Sequence, residues 1–188
     1  MTIEQIIKRA RQGNEAAIAT LYEMYVDSIY RYIVYRVPTN ADAEDLTAEV
    51  FLKMVEGLAN YEFRGVPFEA WLYRIAAARI ADFFRQRNRQ PESELSDMLK
   101  ADEPLPEEHL LEAQEIEVLR GVLMNFTQEE QTILLLRFVE RKSHKEVGRI
   151  LGKSANAVKA AQHRALIQLA ALLGHDDKAR HYLRGDDD

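Results

Sequence analysis

No cysteine occurs among the 188 residues, so neither a disulfide framework nor thiolate chemistry is open to this chain. Glycine and proline are scarce, eight and five residues, and the glycines never gather into a loop that could cradle phosphate. No nucleophile motif is found, and the sequence is read as a non-enzyme that needs no cofactor. The opening residues MTIEQIIKRARQGN lack the apolar core and small-residue cleavage site of a secretory signal. No apolar run approaches the roughly 20 residues of a membrane span. No segment alternates apolar and polar residues long enough to suggest a half-buried strand. These absences leave an all-α, cytoplasmic protein without membrane insertion as the expectation.

Acidic residues outnumber basic ones, for a net charge of −6, which would disfavour a nucleic-acid partner if the charge were evenly spread. It is not. Residues 1–91 carry 12 basic and 12 acidic side chains, 92–117 carry 1 and 10, 118–175 carry 9 and 4, and 176–188 carry 3 and 5. A neutral block, an acidic strap, a basic block and an acidic tail follow one another, and this asymmetry says more than the total. The strap contains Pro91, Pro104 and Pro106 and few large apolar residues, the composition of a connector. Fully extended, Pro91–His109 would reach at most about 60 Å, so the folded blocks on either side could hold sites far apart.

Helical periodicity dominates both blocks. TIEQ at Thr2–Gln5, TQEE at Thr127–Glu130 and SHKE at Ser143–Glu146 have the spacing of capping boxes, which satisfy free N–H groups at a helix start. Asn14 can cap a long helix with Ile18, Leu21, Tyr22, Tyr25, Ile29, Ile33 and Val37 on one stripe, ended by Pro38. TNADAEDLTAEVFLKMVEGL starts another, with Leu46, Val50, Phe51, Met54, Val55 and Leu58 as its apolar face. YEFRGVP is a loop broken by Gly65 and Pro67, and a helix from roughly Phe68 to Arg87 closes the first block. In the second block Leu111, Val118, Leu119, Val122 and Phe126 form one face. Ile133, Leu134 and Phe138 belong to the next helix.

The stretch SHKEVGRILGKSANAVKAAQHR (Ser143–Arg164) has the grammar of a helix-turn-helix. Val147, Ile150 and Leu151 face inward, Gly152 suits the left-handed residue at a helix end, and Ser154 can cap the second helix. On that helix Val158, Ala161, Ala165 and Leu169 share one side; Asn156, Lys159, Gln162 and His163 can share another. A recognition helix placed in the major groove uses such residues, cations for phosphate or guanine and amides for adenine. The bland alternative is a solvated helix pair in any bundle.

A resemblance enters here. SHKEVGRILGKSANAVKAAQHRALIQL resembles the C-terminal domain of bacterial RNA polymerase sigma factors of the extracytoplasmic-function group. The matching positions are Ser143, Glu146, Val147, Leu151, Gly152, Ser154, Val158, Lys159, His163, Arg164 and Leu169; it departs at Ala161 and Gln162, where the family often has Arg and Leu. DAEDLTAEVFLKMVEGL (Asp42–Leu58) is similar to the family segment that contacts the β′ clamp coiled coil, and FRGVPFEAWLYRIAAARIADFFRQRNR (Phe63–Arg89) to its promoter-melting segment. The likeness covers nearly the whole chain, in order.

The resemblance implies a two-domain sigma factor: region 2 at 1–91, an acidic linker at 92–109, a region 4 helix-turn-helix domain at 110–175 and an acidic tail at 176–188. It implies as partners core RNA polymerase, through the β′ clamp coiled coil and the β subunit, promoter DNA, and an anti-sigma factor. Asp42, Glu44, Asp45, Glu49, Leu52 and Lys53 would dock on the polymerase, although acids in a first helical turn also serve the helix dipole. Tyr61, Phe63, Arg64, Arg74, Arg79, Phe83, Arg85 and Arg87 would meet the −10 element, since unpaired bases need stacking surfaces and phosphates need cations. Lys142, Ser154, Asn156, Lys159, Gln162, His163 and Arg164 would meet the −35 element. A metal reading of Glu108, His109, Glu112 and Glu115 lacks the second Glu-x-x-His that a di-metal site requires. His175, Asp176, Asp177 and His181 read better as a polar tail. Two other classes stay open: a stand-alone helix-turn-helix regulator with an N-terminal protein-interaction domain, and a helical adaptor that never touches DNA.

Overall fold

The computed structural model describes residues 1–63, 65–89 and 116–172. Arg64, the acidic linker, the tail and both histidine-carboxylate groups considered for a metal lie outside the described residues. Among the described residues every regular element is helical: α1 (Ile3–Arg11), α2 (Glu15–Val34), α3 (Asn40–Leu58), α4 (Phe68–Arg87), α5 (116–123), α6 (Gln128–Leu134), which runs on into a π-helical turn at Leu135–Val139, α7 (His144–Leu151) and α8 (Ala155–Leu172). None of these helices is long and apolar enough to cross a membrane. The chain divides into two compact units, Met1–Glu62 with Leu72–Arg120, and Phe63–Trp71 with Gly121–Asp188.

In the first unit, α2 packs against both α1 and α3. Leu21, Ile29 and Ile33 of α2, Val50 and Met54 of α3, and Leu72 and Ala76 of α4 are wholly excluded from solvent. Each large apolar side chain so buried contributes about 1.5–3 kcal/mol. Tyr32 meets Tyr73 edge to face at 5.0 Å, and the guanidinium of buried Arg36 lies 4.6 Å from the Tyr32 ring centroid. Helix α2 stops at Val34, before the proline expected to end it, yet Val37 still enters the core. Arg120 occupies the end of α2: it donates to the carbonyls of Val34 at 2.6 Å and Pro38 at 2.9 Å and to Asn40 Oδ1 at 2.9 Å. A cation there satisfies carbonyls that the helix leaves without partners and opposes the negative end of its dipole.

In the second unit Ile133, Leu136, Val147, Val158 and Ala165 form the dry centre. Buried Gln131 reaches back from α6 and donates to the carbonyls of Leu123 and Phe126, at 2.9 and 3.0 Å, which closes the turn after α5. The three capping boxes read from spacing are formed, and Thr39 with Asp42 makes a fourth. Two expectations fail at the edges of stripes. Val118 and Phe138, assigned to apolar faces, are 67% and 52% exposed. Phe138 sits in the π-helical turn, where one extra residue per turn moves it off the α6 stripe.

The turn between α7 and α8 is tight. Gly152 takes φ +67°, a conformation that costs a residue with a Cβ roughly 1–2 kcal/mol. Gly148, inside α7, is required for a different reason. A Cβ built there would lie 2.6 Å from the carbonyl oxygen of Lys153, whose own N–H bonds back to the Gly148 carbonyl at 2.8 Å. Gly148→Ala should therefore destabilise the chain by about 1–3 kcal/mol through overpacking, despite the roughly 1 kcal/mol that alanine normally gains over glycine in a helix; urea denaturation followed by circular dichroism reads the shift in midpoint. The cap of α7 carries a pH signature. Hydrogen bonds from the Ser143 hydroxyl and then its backbone N–H hold the Glu146 carboxyl below its ordinary pKa. A depressed folded-state pKa stabilises above the unfolded value and is lost as pH falls through the folded one. Ser143→Ala should cost about 1 kcal/mol near neutrality, and the gap from wild type should narrow as the pH of the melts is lowered below about 4.5.

Candidate nucleic-acid and polymerase interfaces

Three exposed helix faces, rather than a cavity, carry the chemistry. The first is on α8. The Ser154 hydroxyl accepts from the Ala157 N–H at 3.1 Å and so serves as the helix cap. One turn on, Asn156, Lys159, His163 and Arg164 are exposed, while Val158, Ala161 and Ala165 are buried. Amide, ammonium, imidazole and guanidinium groups thus stand on the solvent side of a helix whose apolar side is locked by α7. The arrangement can meet both phosphates and base edges.

Gln162 and Lys142 are placed otherwise than the sequence suggested. Gln162 is only 9% exposed. Its Oε1 accepts from Arg137 Nε at 2.8 Å and lies 3.0 Å from His144 Nε2, so the side chain is turned into the unit. At about 100° per residue, position 162 falls on the rim of the buried stripe, beside Lys159; periodicity alone cannot tell which way a rim residue turns. The Lys142 ammonium sits 2.7 Å from Glu69 Oε2, with both side chains about four-fifths buried. Its charge is already matched within the second unit.

The second face is on α4 and the loop before it. Phe63 is 56% exposed, as expected of a side chain offered to a base. Tyr61 is not: it is 7% exposed, and burial pushes its phenol up, with the Arg74 cation partly opposing. Its ring is therefore mostly covered in this structure. Along α4, Arg74 and Arg85 are exposed and Arg79, Phe83 and Arg87 half-buried. Asp82 pairs with both Arg79 and Arg85, the latter at 2.7 Å. Phe83 meets Phe84 edge to face at 5.3 Å, and the Arg87 guanidinium lies 5.9 Å from the Phe83 ring centroid.

The third face is on α3. Asp42 is committed to the cap, its Oδ2 accepting from the Thr39 hydroxyl at 2.6 Å and the Thr39 N–H at 3.1 Å. Glu44, Asp45 and Glu49 are exposed. Beside them Leu52 is 58% exposed, and Lys53 pairs with Glu56 at 2.8 Å. The sequence reading missed two neighbours. Val55, assigned to the core, is 45% exposed one turn from Leu52; Tyr22 of α2, also assigned inward, is 46% exposed and stacked edge to face on Phe51 at 4.8 Å. The signal for Val55 was its i+3 spacing from Leu52, which puts the two on adjacent ground.

Compared with known proteins, the chain matches Sigma-70 region 2 over residues 21–90 and Sigma-70, region 4 over residues 122–171. It is 36% identical over 174 residues to ECF RNA polymerase sigma factor BldN of Streptomyces coelicolor, covering 92% of this chain and 66% of that protein. It is 32% identical over 174 residues to ECF RNA polymerase sigma factor SigD of Mycobacterium tuberculosis, covering 89% and 82%. Among solved structures, CnrH in complex with the cytosolic domain of CnrY shares the fold, with a TM-score of 0.67 at 21% identity over 92% of this chain and 97% of that one. A region 2 match removes the reading as a stand-alone helix-turn-helix regulator or a plain helical adaptor. The exposed face of α8, the aromatic and basic face of α4 and the acidic, apolar face of α3 belong to a member of the sigma-70 family, a sigma factor of the extracytoplasmic-function group.

Proposed function

We propose that this sigma factor docks on core RNA polymerase through α3, reads −35 DNA through α8, and opens and reads the −10 element through Phe63 and the face of α4. The observation that carries the proposal is that the first half of α8 buries Val158, Ala161 and Ala165 and exposes Asn156, Lys159, His163 and Arg164. Docking on the β′ clamp coiled coil is supported by Asp45 and Glu49 standing next to bare Leu52 and Val55. Charged neighbours steer the encounter, and desolvated apolar groups hold it. At −10, Phe63 offers an exposed ring and Arg74 an exposed cation. The catalysis of RNA synthesis belongs to the polymerase; this chain contributes recognition and strand opening, acts in the cytoplasm, and functions as region 2 (1–91), linker (92–109) and region 4 (110–175). The resemblance adds the β subunit and an anti-sigma factor to its partners.

Run-off transcription from genomic fragments with purified core enzyme tests the proposal: specific initiation should require this chain. Reversing Asp45 and Glu49 together to Lys should abolish co-purification with core enzyme and leave helical circular dichroism unchanged; normal retention would refute the docking face. Lys159→Ala should weaken binding by a similar factor on all promoters, with the slope of log affinity against log salt falling by about one. A slope equal to wild type would remove Lys159 from the phosphate contacts.

A further inference from the structure

Gln162 is buried on α8, and an amide in such a position needs partners. It has two. Arginine only donates, so the atom facing Arg137 Nε at 2.8 Å must be the amide oxygen. That fixes the amide orientation, and it fixes His144 as well: its Nε2, 3.0 Å from the same oxygen, must carry a hydrogen and donate. Arg137 also donates through its terminal nitrogen to the carbonyl of Lys142, the residue before the Ser143 cap of α7. One guanidinium, held in the π-helical turn, therefore ties the entry of α7 to the middle of α8, and His144 ties the first residue of α7 to the same point.

From this geometry we infer that Arg137, Gln162 and His144 form a brace that sets the rotation of α8 about its own axis, and that Gln162 is a positioning residue for −35 recognition rather than a reader of bases. The inference rests on the reading of α8 as the −35 helix. Its physical content is angular. Gln162 is one residue from His163 and three from Lys159, so releasing it lets the helix roll on a seam of small residues, Ala161 and Ala165, that resists rolling poorly. A roll moves Asn156, Lys159 and His163 together relative to the base edges, and bidentate base contacts tolerate little misalignment.

The test uses holoenzyme reconstituted from core RNA polymerase and the full chain, on a promoter found by run-off transcription whose −35 element is then randomised. The quantity read is the preference for the best −35 sequence over its single-base variants. Gln162→Glu keeps an acceptor for Arg137 and His144 and should hold the preference within about twofold. Gln162→Met and Arg137→Met remove one end of the brace each; either should lower the preference about tenfold, with the double variant no worse than the singles. Should the methionine variants fail to fold by circular dichroism, Arg137→Lys decides, because one ammonium cannot span both the Lys142 carbonyl and Gln162; it should loosen the preference in a folded chain. Full preference in Arg137→Lys or Gln162→Met overturns the brace. Loss in Gln162→Glu with no change in Arg137→Met also overturns it, and marks a direct base contact. Asn156→Ala and Lys159→Ala run alongside: if neither alters binding or preference, the −35 assignment of α8 falls and the brace with it, whereas if they do and the Gln162 and Arg137 variants do not, the brace alone falls.

Discussion

Every helix end exposes polar backbone groups that have lost their partners, and a chain built wholly from helices has an end to satisfy at every connection. The solutions found here are local at helix starts, while at helix stops a local turn such as Gly152 after α7 stands beside caps supplied from farther along the sequence. Threonine or serine with a carboxylate or amide three residues on closes four starts. At the stops, side chains arrive from elsewhere in the sequence: Arg120 at the end of α2, and Gln131 and Gln168 on the carbonyls around the α5–α6 turn. Those caps join segments distant in sequence within each unit, beside the buried apolar contacts of α1–α3 and α6–α8.

This split explains what could be read from sequence. Starts were legible because their chemistry is contained in four consecutive letters. The centres of buried stripes were legible too, since Leu21, Met54 and Val158 stand in the middle of an apolar arc and have no alternative. Rims were not. Val55 and Tyr22 turned out, while Gln162 turned in, each at a helical position where about 100° of rotation separates core from solvent; Tyr61 turned in from the loop. The π-helical turn had no local signature, so Phe138 was placed on a stripe that the backbone had already left. Gln162 could have been suspected from its place between Ala161 and Ala165, two residues too small to fill a core alone.

The three faces also divide the recognition chemistry. On α3 the polar groups surround bare leucine and valine, suited to a partner that excludes water. On the first turns of α8 the exposed amide, ammonium, imidazole and guanidinium of Asn156, Lys159, His163 and Arg164 suit a wet groove. The α4 face is intermediate: rings and cations alternate, but Asp82 draws Arg79 and Arg85 into pairs and reduces the charge presented.

The π-helical turn at Leu135–Val139 amounts to one surplus residue within an α-helical ladder, closed by the Glu140 N–H on the Leu135 carbonyl at 3.0 Å. Its consequence is a constraint on length. Substitutions within the turn change side chains and leave the ladder alone, but removal of a single residue would restore regular winding and swing everything after it by about 100°. Arg137 would then no longer point at α8, nor would the left-handed Arg141 (φ 52°) deliver the chain to the start of α7. Within the turn, exposed Phe138 can change while buried Leu135 and Leu136 and the bonded Arg137 cannot change freely, and the length of the segment is closed to any change at all.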